Sequence, residues 1–195
     1  MISAILLAAG QSSRMGLANK LLLPYDGMPL IRHMVRQLSA AAIDELILVT
    51  GYEAERVLAE LDGFSFHSVH NPNYPLGMTS SIQAGIRKAD KLSKAYMIAL
   101  ADLPLLQTAD YQLLIQAYWL HSPSSRPIQV PTYQEARGHP VIFDHSYRDE
   151  LLAHQAPEGC KGIIKAHFEA VQYLKMPNNH ILRDVDTPES YQAIL

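Results

Sequence analysis

The sequence is poor in cysteine and in charge. Its 195 residues include a single cysteine, Cys160, which excludes an internal disulfide and a cysteine-based zinc finger. No histidine stands beside it, so we interpret it as a buried or incidental thiol rather than a nucleophile. Charged residues make up 18%, below the roughly 25% of average proteins. Because 48% of the residues are hydrophobic, this low charge excludes a disordered chain.

Positive charge is also scarce. Lysine and arginine total 16 against 19 acidic residues, a net charge of −3. Proteins that bind nucleic acid carry a basic excess, so we expect no nucleic-acid partner. The nine histidines are scattered and form no pattern of zinc ligands. An anionic ligand would therefore be attracted by a few placed groups and not by bulk charge.

No hydrophobic run is long enough to cross a membrane. The apolar run at 2–9 is too short and has no basic segment before it, so it predicts a buried strand. We expect a soluble cytoplasmic protein without a membrane partner. No repeat or linker interrupts the chain, and the serine-rich stretch 122–125 predicts only a surface loop. This favours one domain over residues 1–195.

Short apolar runs alternate with amphipathic stretches, which predicts an α/β fold with a mostly parallel sheet. Strands are expected at 2–9, 45–50, 64–69, 95–101, 127–131, 141–143 and 170–174. Helices are expected at 30–38 (opened by Pro29), 53–61, 78–89, 109–120, 146–154 and 162–168, with a last one after Thr187. Ligands of such sheets bind where the strands end, so the segments after Ala9, Val69, Ala101 and Val185 are candidate sites.

The segment after the first strand has the composition of a phosphate-binding loop. Its small residues Ala8, Ala9 and Gly10 let backbone N–H groups approach a ligand closely. Hydroxyls and positive charge follow from Ser12, Ser13, Arg14 and Lys20. The spacing matches neither a Walker A loop nor a G-x-G-x-x-G fingerprint. We favour polyphosphate binding over a glycine-rich turn with exposed cations.

Two acidic features also follow expected strands. Asp102 comes directly after one strand, where it either binds a divalent cation that bridges to substrate phosphates or caps a turn. Asp184 and Asp186 share one face of an extended chain. The Thr-Pro that follows them is typical of a helix start. One of the two aspartates could therefore have a structural role there while the other faces the site. Aspartates from the two segments together would suit one magnesium ion.

Two polar segments complete the candidate site. Asn71 follows a strand, and the hydroxyl residues 79–81 either bind an anion or sugar at a helix N-terminus or cap that helix. His139, within an Arg-Gly-His-Pro sequence, either contacts the phosphate of a second substrate or is a structural histidine.

These segments occur in one order along the chain: LAAGQSSRMG with KLLLP, NPNYPLGMTSS, ADLP, RGHPVIF and DVDTPES. Together they resemble the MobA-like nucleotidyltransferases, and most closely the molybdenum cofactor cytidylyltransferases. The resemblance covers essentially the whole chain. It implies a Rossmann-like three-layer nucleotidyltransferase fold. It also implies transfer of a nucleoside monophosphate from a nucleoside triphosphate, with pyrophosphate leaving.

The resemblance also implies roles for single residues. In the nucleotide-binding loop that contains Ser12 and Ser13, it implies a base pocket at Ala8, Ala9 and Gly10, a leaving-phosphate contact at Arg14 and an α-phosphate contact at Lys20. It further implies magnesium ligands at Asp102 and Asp186, nucleotide contacts at Asn71 and Ser80, and the acceptor end at Gly138 and His139. The sequence Leu-Ala-Ala-Gly, where guanylyl-transferring relatives usually have Leu-Ala-Gly-Gly, favours CTP.

Two positions depart from the family pattern. Three residues, not two, separate Gly16 from Lys20, and Ala101 replaces the usual glycine before Asp102. The resemblance implies a magnesium-dependent transfer of CMP from CTP to the phosphate of molybdopterin, with a molybdoenzyme as a further partner. One alternative is a transferase for a sugar phosphate or another phosphorylated metabolite. The other is a non-catalytic nucleotide-binding accessory protein for a molybdoenzyme.

Overall fold

The computed structural model describes residues 1–16, 18–120 and 127–195. The loop expected at 122–125 lies outside these ranges. Within them, no helix has both the length and the apolar character needed to cross a membrane.

The strands form one large sheet and one small hairpin. The large sheet contains β1 (Ile2–Ala8), β4 (Glu45–Thr50), β5 (His67–His70), β6 (Ala95–Leu100), β7 (Ile128–Tyr133), β8 (Ala136–Arg137), β9 (Val141–Asp144) and β10 (Val171–Lys175). The hairpin pairs β2 (Pro24–Tyr25) with β3 (Met28–Pro29).

The main sheet has the strand order β10-β7-β9-β6-β1-β4-β5, with β8 paired to β7. The pairs β1–β4, β1–β6, β4–β5 and β7–β10 are parallel, and β9 runs antiparallel to both neighbours. β4 and β5 follow β1 in the chain and lie on one side of it in the sheet, whereas β6, which comes later, lies on the other side of β1. The carboxyl ends of β1 and β6 therefore meet at a topological switch point, where α/β sheets bind ligands.

Seven helices connect and cover the strands in the described part of the chain. They are α1 (Leu30–Ser39), α2 (Ala54–Ala59), α3 (Met78–Lys88), α4 (Thr108–Trp119), α5 (Arg148–Ala153), α6 (Lys161–Ala166) and α7 (Pro188–Gln192). Short 3-10 turns at Ser13–Met15, Lys20–Leu22, Tyr74–Leu76, His145–Tyr147, Phe168–Ala170 and His180–Leu182 lie between them.

The sheet is buried on both faces. Neighbouring residues of β1 alternate between two apolar clusters: Leu6 packs with Met34 of α1 and Leu114 of α4, whereas Ile5 packs with Ile86 of α3 and Leu151 of α5. Because both faces need apolar side chains, the central strands are continuous apolar runs and do not alternate. The predicted three-layer α/β fold with a mostly parallel sheet is confirmed.

Some predicted boundaries differ from the structure. Pro29 is the N-cap of α1 and not its first helical residue, and it also ends β3, whose tight hairpin is closed by Asp26 and Gly27 at positive φ (51° and 72°). The strand expected at 64–69 begins only at His67, and the helix expected at 146–154 begins as a 3-10 turn before α5. Thr187 caps α7 as expected, since its hydroxyl accepts the N–H of Ser190 at 3.2 Å.

Candidate active site

The loop after β1 folds back on itself. Ser12 adopts a left-handed conformation (φ 54°), its carbonyl accepts the N–H of Met15 at 2.8 Å, and its hydroxyl accepts the N–H of Lys20 at 3.1 Å. Ser12 therefore fixes the return of the chain rather than only offering a ligand contact. The Lys20 side chain is buried as a result, next to the carboxyl ends of β1 and β6.

Lys20 lies between two aspartates that are distant in sequence. Its Nζ donates to Asp102 Oδ2 at 2.5 Å and to Asp186 Oδ1 at 2.8 Å. Arg14, which is largely exposed, donates from Nη2 to the other oxygen of Asp186 at 2.6 Å. The four charged residues expected to act on phosphate and metal thus form one cluster.

The chain before α7 brings Asp186 to this cluster. The N–H of Val185 donates to the carbonyl of Asp102 at 2.9 Å, and the N–H of Asp186 donates to Ser190 Oγ at 2.9 Å. Because Thr187 supplies the helix cap, Asp186 is left to face the cations. The carboxyl group of Asp184 lies close enough to that of Asp186 for each to influence the pKa of the other.

The pKa values of these groups follow from their pairing. Burial lowers the pKa of Lys20, but Asp102 and Asp186 outweigh this, so the pKa lies above its ordinary value. Burial raises the pKa of Asp186, but the hydrogen bond and charge of Lys20 outweigh it and the net shift is downward. Burial, and then the nearby carboxyl group of Asp186, raise the pKa of Asp184. Lys20 is therefore charged and Asp186 ionised at neutral pH.

The donor set fits a divalent cation. Oδ1 of Asp102 is buried and has no hydrogen-bond partner among the described residues, so a carboxylate oxygen is left to coordinate a ligand. Carboxylate oxygens suit magnesium or manganese. No group of three or more His, Cys, Asp or Glu side chains in the described ranges is arranged to hold a metal. A cation at Asp102 and Asp186 would therefore need phosphate oxygens and water as further ligands, which magnesium commonly takes.

A cavity of about 270 Å³ adjoins this cluster. It is lined by Leu7, Ala9, Gly10, Tyr74, Gly77, Met78, Ser81, Leu100 and Asp102. A Cβ added to Gly10 would meet nothing within 4 Å, so the backbone there is open to a ligand. Ala8 instead packs in the apolar core. Of the three small residues expected at the base pocket, Ala9 and Gly10 line the cavity.

Sequence reasoning missed Tyr74 as a wall of this cavity. A Cβ at Gly51, just after β4, would lie 2.7 Å from the Tyr74 ring and 2.8 Å from the carbonyl of Ala9. Gly51 therefore permits the ring to pack against the end of β4, beside the carbonyl of Ala9. The signal in the sequence is the glycine that ends the second apolar run.

Asn71 organises the turn between β5 and α3. It is 3% exposed, and its Nδ2 donates to the hydroxyls of Ser80 at 2.9 Å and Ser81 at 3.0 Å. Its Oδ1 accepts the N–H of Asn73 at 3.0 Å. Asn71 and Ser80 are thus held by each other, with Ser81 at the cavity wall, and their contact with a nucleotide stays a prediction.

Gly138 and His139 lie just before β9, which is the neighbour of β6 on the side opposite to β1. A Cβ on Gly138 would collide with the backbone of Ile181, so glycine is required by close packing. The N–H of His139 donates to the carbonyl of Ile181 at 3.3 Å, and its Nδ1 lies 3.5 Å from the carbonyl of Ile98. Burial lowers the pKa of His139, so the imidazole is neutral near pH 7. Both residues line a second cavity.

Cys160 is 4% exposed, and burial raises its pKa to about 12. The thiolate needed by a nucleophile is therefore not formed at neutral pH. The prediction of a buried thiol is confirmed.

Residues 4–171 match the MobA-like NTP transferase domain. The chain belongs to this family. The family is one of nucleotidyltransferases, and the cluster of two cations and two aspartates at the switch point agrees with nucleotidyl transfer as the class of chemistry.

Relatives of this MobA-like protein have diverse names. Nicotine blue oxidoreductase of Paenarthrobacter nicotinovorans is 26% identical over 100% of this chain and 96% of its own length. The structure of Rv0371c from Mycobacterium tuberculosis H37Rv has a TM-score of 0.87 at 25% identity, covering 100% of this chain and 97% of that one. A manganese complex of Rv0371c is similar too, with a TM-score of 0.78 at 26% identity and the same coverage.

A nucleotidyl transferase from Methanothermobacter has the same fold. Its TM-score is 0.84 at 23% identity, covering 100% of this chain and 95% of that one.

Proposed function

We propose that this protein transfers CMP from CTP to the phosphate of molybdopterin and releases pyrophosphate. The observation that carries the proposal is the position of Lys20 between Asp102 and Asp186, beside an open cavity at the carboxyl ends of β1 and β6. Such a cluster can neutralise a triphosphate without any covalent intermediate.

The reaction is an in-line displacement at the α-phosphorus of CTP. An oxygen of the acceptor phosphate forms the new bond to phosphorus, and the bond to the β-phosphate oxygen breaks, so that pyrophosphate leaves. Arg14 lies on the exposed side of Asp186, where it would hold the leaving phosphates, while buried Lys20 would face the α-phosphate. Both lysine and arginine are charged throughout the reaction, so they stabilise developing negative charge without moving a proton.

A divalent cation fits the same cluster. Asp102 and Asp186 would hold it, and when bound it would neutralise the phosphates and fix their orientation. The buried free oxygen of Asp102 supports this assignment.

The proposal is tested by measuring pyrophosphate release. The purified protein is mixed with CTP, GTP, ATP or UTP, magnesium, and molybdenum-loaded molybdopterin or glucosamine 1-phosphate. Pyrophosphate release with CTP and molybdopterin, and with no other pair at a comparable rate, is the expected result. Release with the sugar phosphate instead would support the sugar-phosphate alternative. Nucleotide binding without turnover for any acceptor would support the accessory role for a molybdoenzyme.

The similarity to nicotine blue oxidoreductase calls for one further assay. The same preparation is incubated with nicotine blue and a reduced nicotinamide nucleotide, and loss of the dye is followed. We expect no enzyme-dependent loss of the dye, because the ion-pair cluster is suited to phosphate rather than to electron transfer. Dye reduction with silence in the pyrophosphate assay would contradict the proposal.

A further inference from the structure

A second and larger cavity adjoins the nucleotide cavity. It measures about 710 Å³, against about 270 Å³ for the first. Met78 and Leu100 line both, so the two cavities share a wall at the carboxyl end of β6. His139 and Lys161 of α6 both line the larger cavity, and Asp102 lines the smaller one. A molecule in the larger cavity would therefore extend from the reaction centre towards α6.

The walls of the larger cavity are mostly apolar. They include Leu100, Val130, Val141, Pro157 and Ile164. A sugar placed there would bury hydroxyl groups against side chains that cannot pair with them, which is costly. An apolar or heteroaromatic body would lose little on entering.

The positively charged residues that line this cavity are exposed to solvent, and we call them its cationic rim. They are Arg137, Lys161 and Lys165, and Glu158 is the one acidic lining residue. Lys161 and Lys165 are four residues apart on α6 and thus share one helix face. In the described part of the chain, neither lysine lies within 4.0 Å of a carboxylate oxygen. Lys161 and Lys165 are therefore not engaged in an ion pair with a described residue, although Glu158 lines the same cavity.

The segment leading into α6 is fixed to the start of α3. The hydroxyl of Thr79 donates to the carbonyl of Ala156 and accepts the N–H of Gly159 at 3.0 Å. Gly77 has φ 109°, and a Cβ there would lie 2.8 Å from the carbonyl of Pro157. Close packing therefore places the cationic rim at a defined position beside the nucleotide cavity.

We propose that Lys161 and Lys165 are specificity-determining residues that bind an anionic group of the acceptor. The apolar walls of the same cavity favour an apolar or heteroaromatic body behind this group and discriminate against sugar phosphates. The inference deepens the proposed function, on which it rests for the identity of the occupant as the acceptor of nucleotidyl transfer.

The first test measures binding in the absence of nucleotide. The probe is a pterin monophosphate, whose own fluorescence reports its binding, and glucose 1-phosphate is the competitor. We expect the Lys161→Gln/Lys165→Gln variant to bind the pterin at least about tenfold more weakly, because two charge-assisted contacts are lost. The arginine pair Lys161→Arg/Lys165→Arg should restore most of the affinity. The control Lys88→Gln/Lys91→Gln removes two exposed lysines near the opposite edge of the sheet and should stay within twofold.

Three results of this test would overturn the inference. These are failure of the pterin monophosphate to bind, equal affinity in both glutamine variants, and displacement of the pterin by glucose 1-phosphate at similar concentrations. Circular dichroism and thermal melting of each variant verify that the fold is intact.

The second test separates this inference from the proposed function. In the pyrophosphate assay, the KM for molybdopterin should rise at least about tenfold in Lys161→Gln/Lys165→Gln while the KM for CTP is unchanged. An unchanged KM for molybdopterin would overturn the inference and leave the proposed function standing. Lysine-dependent pterin binding in a protein that transfers no nucleotide would overturn the proposed function and leave the assignment of the two lysines standing.

Discussion

The nucleotide side of the site, at Lys20 and Arg14, and the acceptor side, at the lysines of α6, differ in whether their positive charges are paired with carboxylates. On the nucleotide side, Lys20 and Arg14 are already bound to Asp102 and Asp186 at 2.5 to 2.8 Å. On the acceptor side, the rim cations of α6 have no carboxylate within ion-pairing distance among the described residues. Burial accounts for much of the difference, because the buried ammonium group of Lys20 needs carboxylate partners, whereas the exposed α6 lysines can be solvated by water.

The contrast bears on how each side would bind an anion. A free cation can bind an anion at once, and its contribution is limited mainly by screening. A paired cation must first be released from its carboxylates, and a metal ion at those carboxylates would release it. Nucleotide and metal are therefore expected to bind the paired side together, whereas an acceptor can bind the free side alone.

The largest effect is expected from breaking the paired side at Lys20. The variant Lys20→Gln should lose roughly 100-fold or more in kcat, as when other preorganised charge donors are removed. The same variant should bind manganese more tightly in the absence of nucleotide, because the competing ammonium group between the two carboxylates is gone. Pyrophosphate release measures the first quantity, and titration calorimetry with manganese alone measures the second.

A matched variant distinguishes this competition from general damage. Asp102→Asn should also lose roughly 100-fold in kcat, but it should bind manganese more weakly, since it loses a ligand oxygen. Asp62→Asn, at an exposed turn, should change neither quantity. Weaker manganese binding in both active-site variants would mean that Lys20 does not occupy the metal position.

The two sides also differ in how far the sequence could predict them. β1, β4 and β6 were predictable because strands buried on both faces must be continuous apolar runs, and Asp102 was predictable as a carboxylate at the end of one of them. The pairing of Lys20 with aspartates 82 and 166 residues away depends on the return of the loop and the docking of the chain before α7. The free lysines of α6 were not predicted, because their importance comes from the cavity they face and not from their spacing.

A smaller effect is expected from adding one methyl group to either side. At Gly10, a Cβ would meet nothing within 4 Å, so Gly10→Ala should leave the free energy of unfolding within about 1 kcal/mol of the original. The KM for CTP should rise several-fold, because the methyl group would enter the space next to the nucleotide. At Gly138, the Cβ would collide with Ile181, so Gly138→Ala should lower the free energy of unfolding by about 1–3 kcal/mol. Urea denaturation and steady-state kinetics on both variants measure these changes, and an unchanged KM for CTP in Gly10→Ala would argue against a ligand at that backbone.

The smallest effect is expected at His139, which lies between the two sides. Burial holds its folded-state pKa below the ordinary value of 6.5, so the unfolded chain binds the proton first as the pH falls. The associated stability is fully present above pH 6.5 and is lost as the pH falls below it. Between pH 7.5 and 5.5, this costs up to about 1.4 kcal/mol, the value of one pKa unit.

The variant His139→Gln isolates the contribution of His139 to the pH dependence of the free energy of unfolding. Its free energy of unfolding in urea should fall less than that of the original protein over the same pH range, by the contribution of the one histidine. His33, whose pKa is also lowered by burial, remains in both proteins and cancels from the comparison. Identical pH slopes for the two proteins would mean that His139 is protonated as readily in the folded state as in the unfolded chain.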